Sequence, residues 1–146
     1  MRRLLILTCG ATKRPDDSLL PAIDRYDGPP YRTLRKALRD LMEDQHPRVL
    51  ILSARYGLIC ADTHIPNYND RLTASRAVAL RTQVRRALGE ALEAGGVTTT
   101  FINLGAAYLP ALALDPSMIA QLGLLTYARG GIGERMGQMK RWLHSV

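Results

Sequence analysis

Cysteine is scarce in this chain and scattered. Cys9 and Cys60 are the only two, too few for a disulfide framework and without the Cys-x-x-Cys spacing of a structural metal site. Two reduced thiols are the plain reading, although both lie next to loops assigned below to a site. Histidine is equally thin: His46, His64 and His144 lie far apart, and no helix presents two ligands one turn apart, so no metal is expected. No apolar run approaches the roughly 20 residues that cross a bilayer, and the stretch after Arg2-Arg3 is too short for a signal sequence. The expectation is a cytoplasmic protein without a membrane segment. Internal repeats and low-complexity linkers are missing too. So is the Gly-x-x-x-x-Gly-Lys-Ser/Thr spacing of a P-loop. The glycines of Gly130-Gly131-Ile132-Gly133 make half of a dinucleotide fingerprint, but no acidic ribose partner follows about 20 residues on, and no cofactor is expected.

What is present is a chain of 146 residues, 47% of them hydrophobic, which is enough to bury a core as one domain spanning residues 1–146. Lys and Arg total 20 against 13 Asp and Glu, a formal charge of +7. The resulting pI near 9.9 favours a polyanionic partner, nucleic acid or nucleotide first. Short apolar runs at residues 3–8 and 48–53 and a β-branched, aromatic run at 97–103 read as strands, with a weaker fourth at 122–127. Residues 30–43 place Leu34, Ala37, Leu38, Leu41 and Met42 on one helical face. Thr73 caps a second expected helix at 73–94, whose stripe is Ala77, Leu80, Val84, Leu88, Ala91 and Leu92. The last helix covers 132–144. Nearly all-apolar strands separated by helices predict an α/β fold: a three-layer, mostly parallel four- to five-stranded sheet with helices on both faces. Sites in such sheets gather beyond the strand carboxyl ends, which selects the loops 9–15, 54–72 and 104–108.

The first of these loops, Thr8-Cys9-Gly10-Ala11-Thr12-Lys13-Arg14, sets small residues and two cations directly after a strand, which suits close approach by an anion. A solvated Lys and Arg in a turn is the alternative. Tyr26 and Tyr31 flank the turn Asp27-Gly28-Pro29-Pro30, where aromatic rings near cations stack a base, or more simply pin the loop to the core. The second strand ends in Leu52-Ser53-Ala54-Arg55-Tyr56-Gly57-Leu58. Ser53, Arg55, Tyr56, Asp62, His64 and Tyr68 then fall on one long connection, read as structureless and therefore functional. Asp62 and His64 are candidates for acid and base, with Tyr56 beside them. Arg129 and Gly131, between the fourth strand and the last helix, complete the candidate phosphate ligands with Cys9, Lys13 and Arg14. Arg81 and Arg85 lie beside or within the apolar stripe of the second helix, where snorkelling to water competes with a buried anion contact.

Several short patterns carry a resemblance: Cys9-x-x-x-Lys13, Tyr26-x-Gly28-Pro29-x-Tyr31, Leu52 to Leu58, Ile65-x-x-Tyr68, Gly105-x-x-Tyr108 and Gly131-Ile132-Gly133. Together they resemble a family of small bacterial and phage domains of unknown function, over nearly the whole chain. More distantly, Leu52-Ser53-x-x-Tyr56-Gly57 with Ile65 and Tyr68 is similar to the signature of the peroxide-stress family YaaA. That second resemblance implies an α/β body and DNA association in oxidative stress. Arg55 stands where a lysine is usual, and arginine keeps the charge while excluding Schiff-base and proton-transfer chemistry. The two readings that follow are a DNA-binding, stress-response domain and an enzyme acting on a nucleotide, nucleoside or nucleobase, of the N-glycosidase or hydrolase type.

Overall fold

A computed structural model describes residues 2–146. Its centre is β1 (Arg2–Thr8), whose Leu4, Leu5, Ile6 and Leu7 are all buried. The reason for this unbroken apolar run is that both faces of the strand are covered. Leu4 and Ile6 join one core cluster, while Leu5 and Leu7 join the other. On either side of β1 lie β3 (Arg48–Ser53) and β6 (Val97–Asn103), both parallel to it. The outer strands are β4 (Gly57–Cys60), antiparallel to β3, and β7 (Leu124–Tyr127), parallel to β6. The five-stranded order is therefore β4-β3-β1-β6-β7, and the expected three-layer α/β architecture is what the chain adopts.

Helices α2 (Pro29–Asp40) and α6 (Ile132–His144) cover one face, through Tyr31, Leu34, Ala37, Met139 and Leu143. Helices α3 (Ala74–Ala79) and α4 (Arg81–Leu92) cover the other, through Ala77, Val84, Leu88 and Leu92. A short pair, β2 (Leu20–Pro21) with β5 (His64–Ile65), and the single turn α1 (Ala22–Arg25) lie outside the main sheet. A last short helix, α5 (Pro116–Gln121), is capped by Asp115 and precedes β7.

Three expectations change. The helix expected over 73–94 is two helices broken at Leu80, whose N–H reaches both Arg76 O and Val78 O. The break lets Arg81 donate to Pro110 O at 2.7 Å while Leu80 itself stays buried. The connection at 54–72 is not structureless, because β4 and β5 occupy it. The first long helix stops at Asp40, and Leu41 and Met42 lie beyond it in extended backbone.

The chain leaves β1 through α2 toward β3 and later returns across the sheet to β6 on the opposite side of β1. Connections leaving adjacent parallel strands in opposite directions open a crevice beyond their carboxyl ends. Here that crevice lies between Thr8-Cys9-Gly10 and Asn103-Leu104-Gly105.

Two glycines give the fold a test. Gly123 has φ +68°, and a Cβ there would lie 2.3 Å from Thr98 O. Gly89 is in the interior of α4 with open space around it. Gly123→Ala is expected to destabilise the chain by about 2–3 kcal/mol. Gly89→Ala is expected to stabilise it by roughly 0.5–1 kcal/mol. Thermal or urea unfolding checks both, and the account of this strand junction fails if the two variants shift stability in the same direction.

Candidate functional site

Ser53 is the last residue of β3 and is fully buried. Its Oγ accepts hydrogen bonds from the backbone N–H groups of Arg55 (3.2 Å) and Tyr56 (3.1 Å). A hydroxyl bonding to the backbone two and three residues on is a turn-forming device. Gly57 follows with φ +75°, a conformation that glycine adopts without strain. Gln83 of α4 then clamps Leu58 by accepting from its N–H at 2.8 Å and donating to its carbonyl at 3.1 Å. Leu52 to Leu58 is thus the corner of a β-hairpin. The Arg76 side chain fixes its outer side by donating to Ala54 O and Arg55 O.

The same Ser53 hydroxyl shares a hydrogen bond with Tyr68 Oη at 2.9 Å, and Tyr68 Oη is in turn bonded to Tyr26 Oη. Burial pushes the Tyr68 phenol up to about 12. Burial, with the bond to Tyr68, raises Tyr26 much further. Both rings are held as neutral hydrogen-bonding groups at ordinary pH.

Above this hub sits Lys13, which forms an isolated antiparallel bridge with Tyr26. Its Nζ lies 4.6 Å from the Tyr68 ring centroid and 5.8 Å from that of Tyr26. Partial burial lowers the Lys13 ammonium below the usual lysine value, against the opposing pull of Cys9 and Asp70. The Arg55 guanidinium is 5.5 Å from the Tyr56 ring and 6.0 Å from the Tyr68 ring. Two cations packed on the rims of buried aromatic rings make this corner electropositive.

Arg25 holds the loop that carries Lys13. It is completely buried, and its guanidinium donates to the carbonyls of Arg14 (2.7 Å), Asp16 (2.9 Å) and Ile65 (3.3 Å), as well as to Ser18 O. This ties residues 14–18 to β5, three residues before Tyr68. No carboxylate pairs with it among the described residues.

Two hollows result. A basin of about 450 Å³ is lined by Ala11, Lys13, Asn67, Tyr68 and Asn69. A smaller cavity of about 140 Å³ lies in the crevice between β1 and β6, with Cys9, Gly10, Tyr31, Asn103, Gly105 and Arg135 in its wall. Cys9 Sγ is 3.1 Å from Tyr108 Oη, and its backbone N–H donates to Leu52 O. A larger groove of about 640 Å³ beside Arg3, Thr99 and Trp142 contains none of the expected site residues.

Of the expected residues, the hub and its basin bring together Cys9, Lys13, Tyr26, Ser53, Arg55, Tyr56 and Tyr68. Arg14 turns away to an exposed ion pair with Asp16 at 3.0 Å. Arg129 is exposed, its backbone bracketed by the Gln138 amide. Gly131 caps α6 next to the smaller cavity without lining it. Asp62 and His64 are not at the basin. Because β4 runs antiparallel, the chain after Cys60 emerges near the start of β3, and Asp62 lines a shallow hollow with Pro47 and Arg48 there. His64 is exposed and paired through its backbone with Pro21. Arg85 makes an exposed ion pair with Asp115 at 2.8 Å, not a buried anion contact. Sequence reasoning missed Asn103 and Arg135. A polar residue closing the apolar run Phe101-Ile102 was the available signal for Asn103, whereas Arg135 looks like any surface arginine.

A family model described as a family of unknown function, DUF6884, matches residues 4–145. The chain belongs to this family. No curated protein and no solved structure matches it. No helix is long and apolar enough to cross a membrane, and among the described residues no three metal-ligating side chains cluster.

Ser53 supports the hairpin turn and the tyrosine pair at once. Ser53→Ala leaves two turn N–H groups and a buried phenol short of a partner, at an expected cost of about 1–3 kcal/mol. Chemical denaturation reads the loss, and a stability within 0.3 kcal/mol of the parent, roughly half of thermal energy, contradicts the role of the hub.

Proposed function

We propose that this chain is a nucleic-acid-associated domain that holds a phosphate-bearing nucleotide unit in the basin at the strand carboxyl ends. The observation that carries the reading is Lys13 Nζ poised 4.6 Å above the Tyr68 ring, with Arg55 on the neighbouring aromatic face. An ammonium and a guanidinium that both approach the Tyr68 ring supply charge for phosphate, and the half-buried Tyr56 ring beneath Arg55 supplies a surface for a base. The net charge of +7 supports the same partner by drawing polyanions toward the protein. The resemblance of the hairpin corner to the peroxide-stress family YaaA favours DNA in a cytoplasmic stress response over RNA.

The enzyme reading relied on Asp62 and His64 to move a proton. Asp62 lies at the amino-terminal end of β3 and His64 is exposed on β5, so neither is among the residues lining the basin.

Fluorescence anisotropy with single- and double-stranded oligonucleotides, titrated with salt, tests the proposal. Affinity is expected to rise as salt falls, and Lys13→Ala is expected to weaken binding on the order of tenfold and reduce the salt slope by about one. Since burial lowers the Lys13 ammonium, the contribution of this residue should fade with rising pH earlier than that of an ordinary lysine. Absence of binding at low salt, or a Lys13→Ala variant that binds as the parent does, overturns the proposal.

A further inference from the structure

The smaller cavity has walls of a different kind from the basin. Asn103 ends β6 and is only 5% exposed. Its Nδ2 makes one long contact, 3.6 Å to Met139 Sδ, and its Oδ1 has no hydrogen-bond partner among the described residues. The oxygen is not sealed in, so it is free to accept from whatever enters the space beside it. Across the cavity, Arg135 has a buried Nε that is likewise without a partner. Helix α6 begins just before it at Gly131 with no side-chain cap, so the first N–H groups of the helix have no partner within it. Gly10, Gly28 and Gly105 remove side chains from the remaining wall, and the Tyr31 hydroxyl is already committed to Thr8 O.

Size narrows the occupant. The cavity measures about 140 Å³. A cavity of about 150 Å³ accepts a single six-membered ring. The second ring of a purine would have to project from the open mouth of the cavity. Chemistry narrows it again, because an amide free to accept and a guanidinium able to donate line the same small space. We propose that this cavity is a subsite for a single-ring nitrogen heterocycle, a pyrimidine base, whose ring N–H or amine is accepted by Asn103 Oδ1 and whose carbonyl oxygen faces Arg135. This rests on the reading of the neighbouring basin as the phosphate site, the loop from Cys9 to Lys13 running between the two. The pocket is thereby the element that tells one base from another, while the basin holds any of them.

Calorimetric titrations with uridine, cytidine, adenosine and guanosine, none of which carries phosphate, test the subsite separately from the basin. Uridine and cytidine are expected to bind the unaltered chain at least tenfold more tightly than the purine nucleosides. Asn103→Leu is expected to remove that preference, and Lys13→Ala is expected to weaken oligonucleotide binding on the order of tenfold. If oligonucleotides bind but the four nucleosides bind equally or not at all, the subsite is wrong and the basin reading stands. If neither oligonucleotides nor nucleosides bind, both fall. The selectivity measurement uses the native sequence, so a poorly folded Asn103→Leu protein does not remove the test.

Discussion

The hydrogen bonds joining Ser53, Tyr68 and Tyr26 hold together everything at the functional end of this molecule. Each group comes from a different part of the chain: the end of β3, the connection after β5, and the turn before α2. Phenols buried this deeply have no water to turn to, so they must find one another. Once they do, three loops that would otherwise move independently are fixed to the carboxyl end of the sheet. Lys13 and Arg55 then cover the Tyr68 ring from outside, and Arg55 also lies over Tyr56. The anion-attracting surface is thus a by-product of satisfying buried polar groups.

The sheet decides where this can happen. β1 is buried on both faces and sits between β3 and β6, and the chain leaves β1 and β6 in opposite directions. That divergence opens the crevice lined by Cys9, Gly10, Asn103 and Gly105. Arg25 does for the first loop what Ser53 does for the hairpin. Its guanidinium binds four carbonyls and so gives an irregular segment the backbone partners that a strand or helix would have provided. The antiparallel course of β4 carries Asp62 to the amino-terminal end of β3, while His64 lies exposed on β5 outside the main sheet.

Much of the fold was legible in the sequence because it rests on periodicity. The apolar runs of β1, β3 and β6 and the stripe of α6 can be read directly, and α6 begins and ends where its pattern does. The break at Leu80 was not legible. No glycine or proline marks it, and the residue that follows it, Arg81, bonds to the turn at Leu109–Ala111, far away in the chain. The strand β4 was hidden because its four residues lack alternation and follow a turn shaped by a serine side chain, not by an Asn-Gly pair. At the candidate site, tyrosine and lysine spacing pointed to loops that the fold brings together. Asp62 and His64 come to lie apart from them because closeness in sequence says nothing about which end of a strand a residue reaches. Asn103 and Arg135 acquire meaning only from the cavity they share.

The most direct measurement of the account is a crystal structure of the chain with uridine monophosphate bound. It should show phosphate oxygens within hydrogen-bond distance of Lys13 Nζ and the ring against Asn103 and Arg135. A nucleotide seated instead beside Asp62 and His64, or in the groove beside Trp142, would contradict the claim that the carboxyl-terminal edge of the sheet is the functional surface.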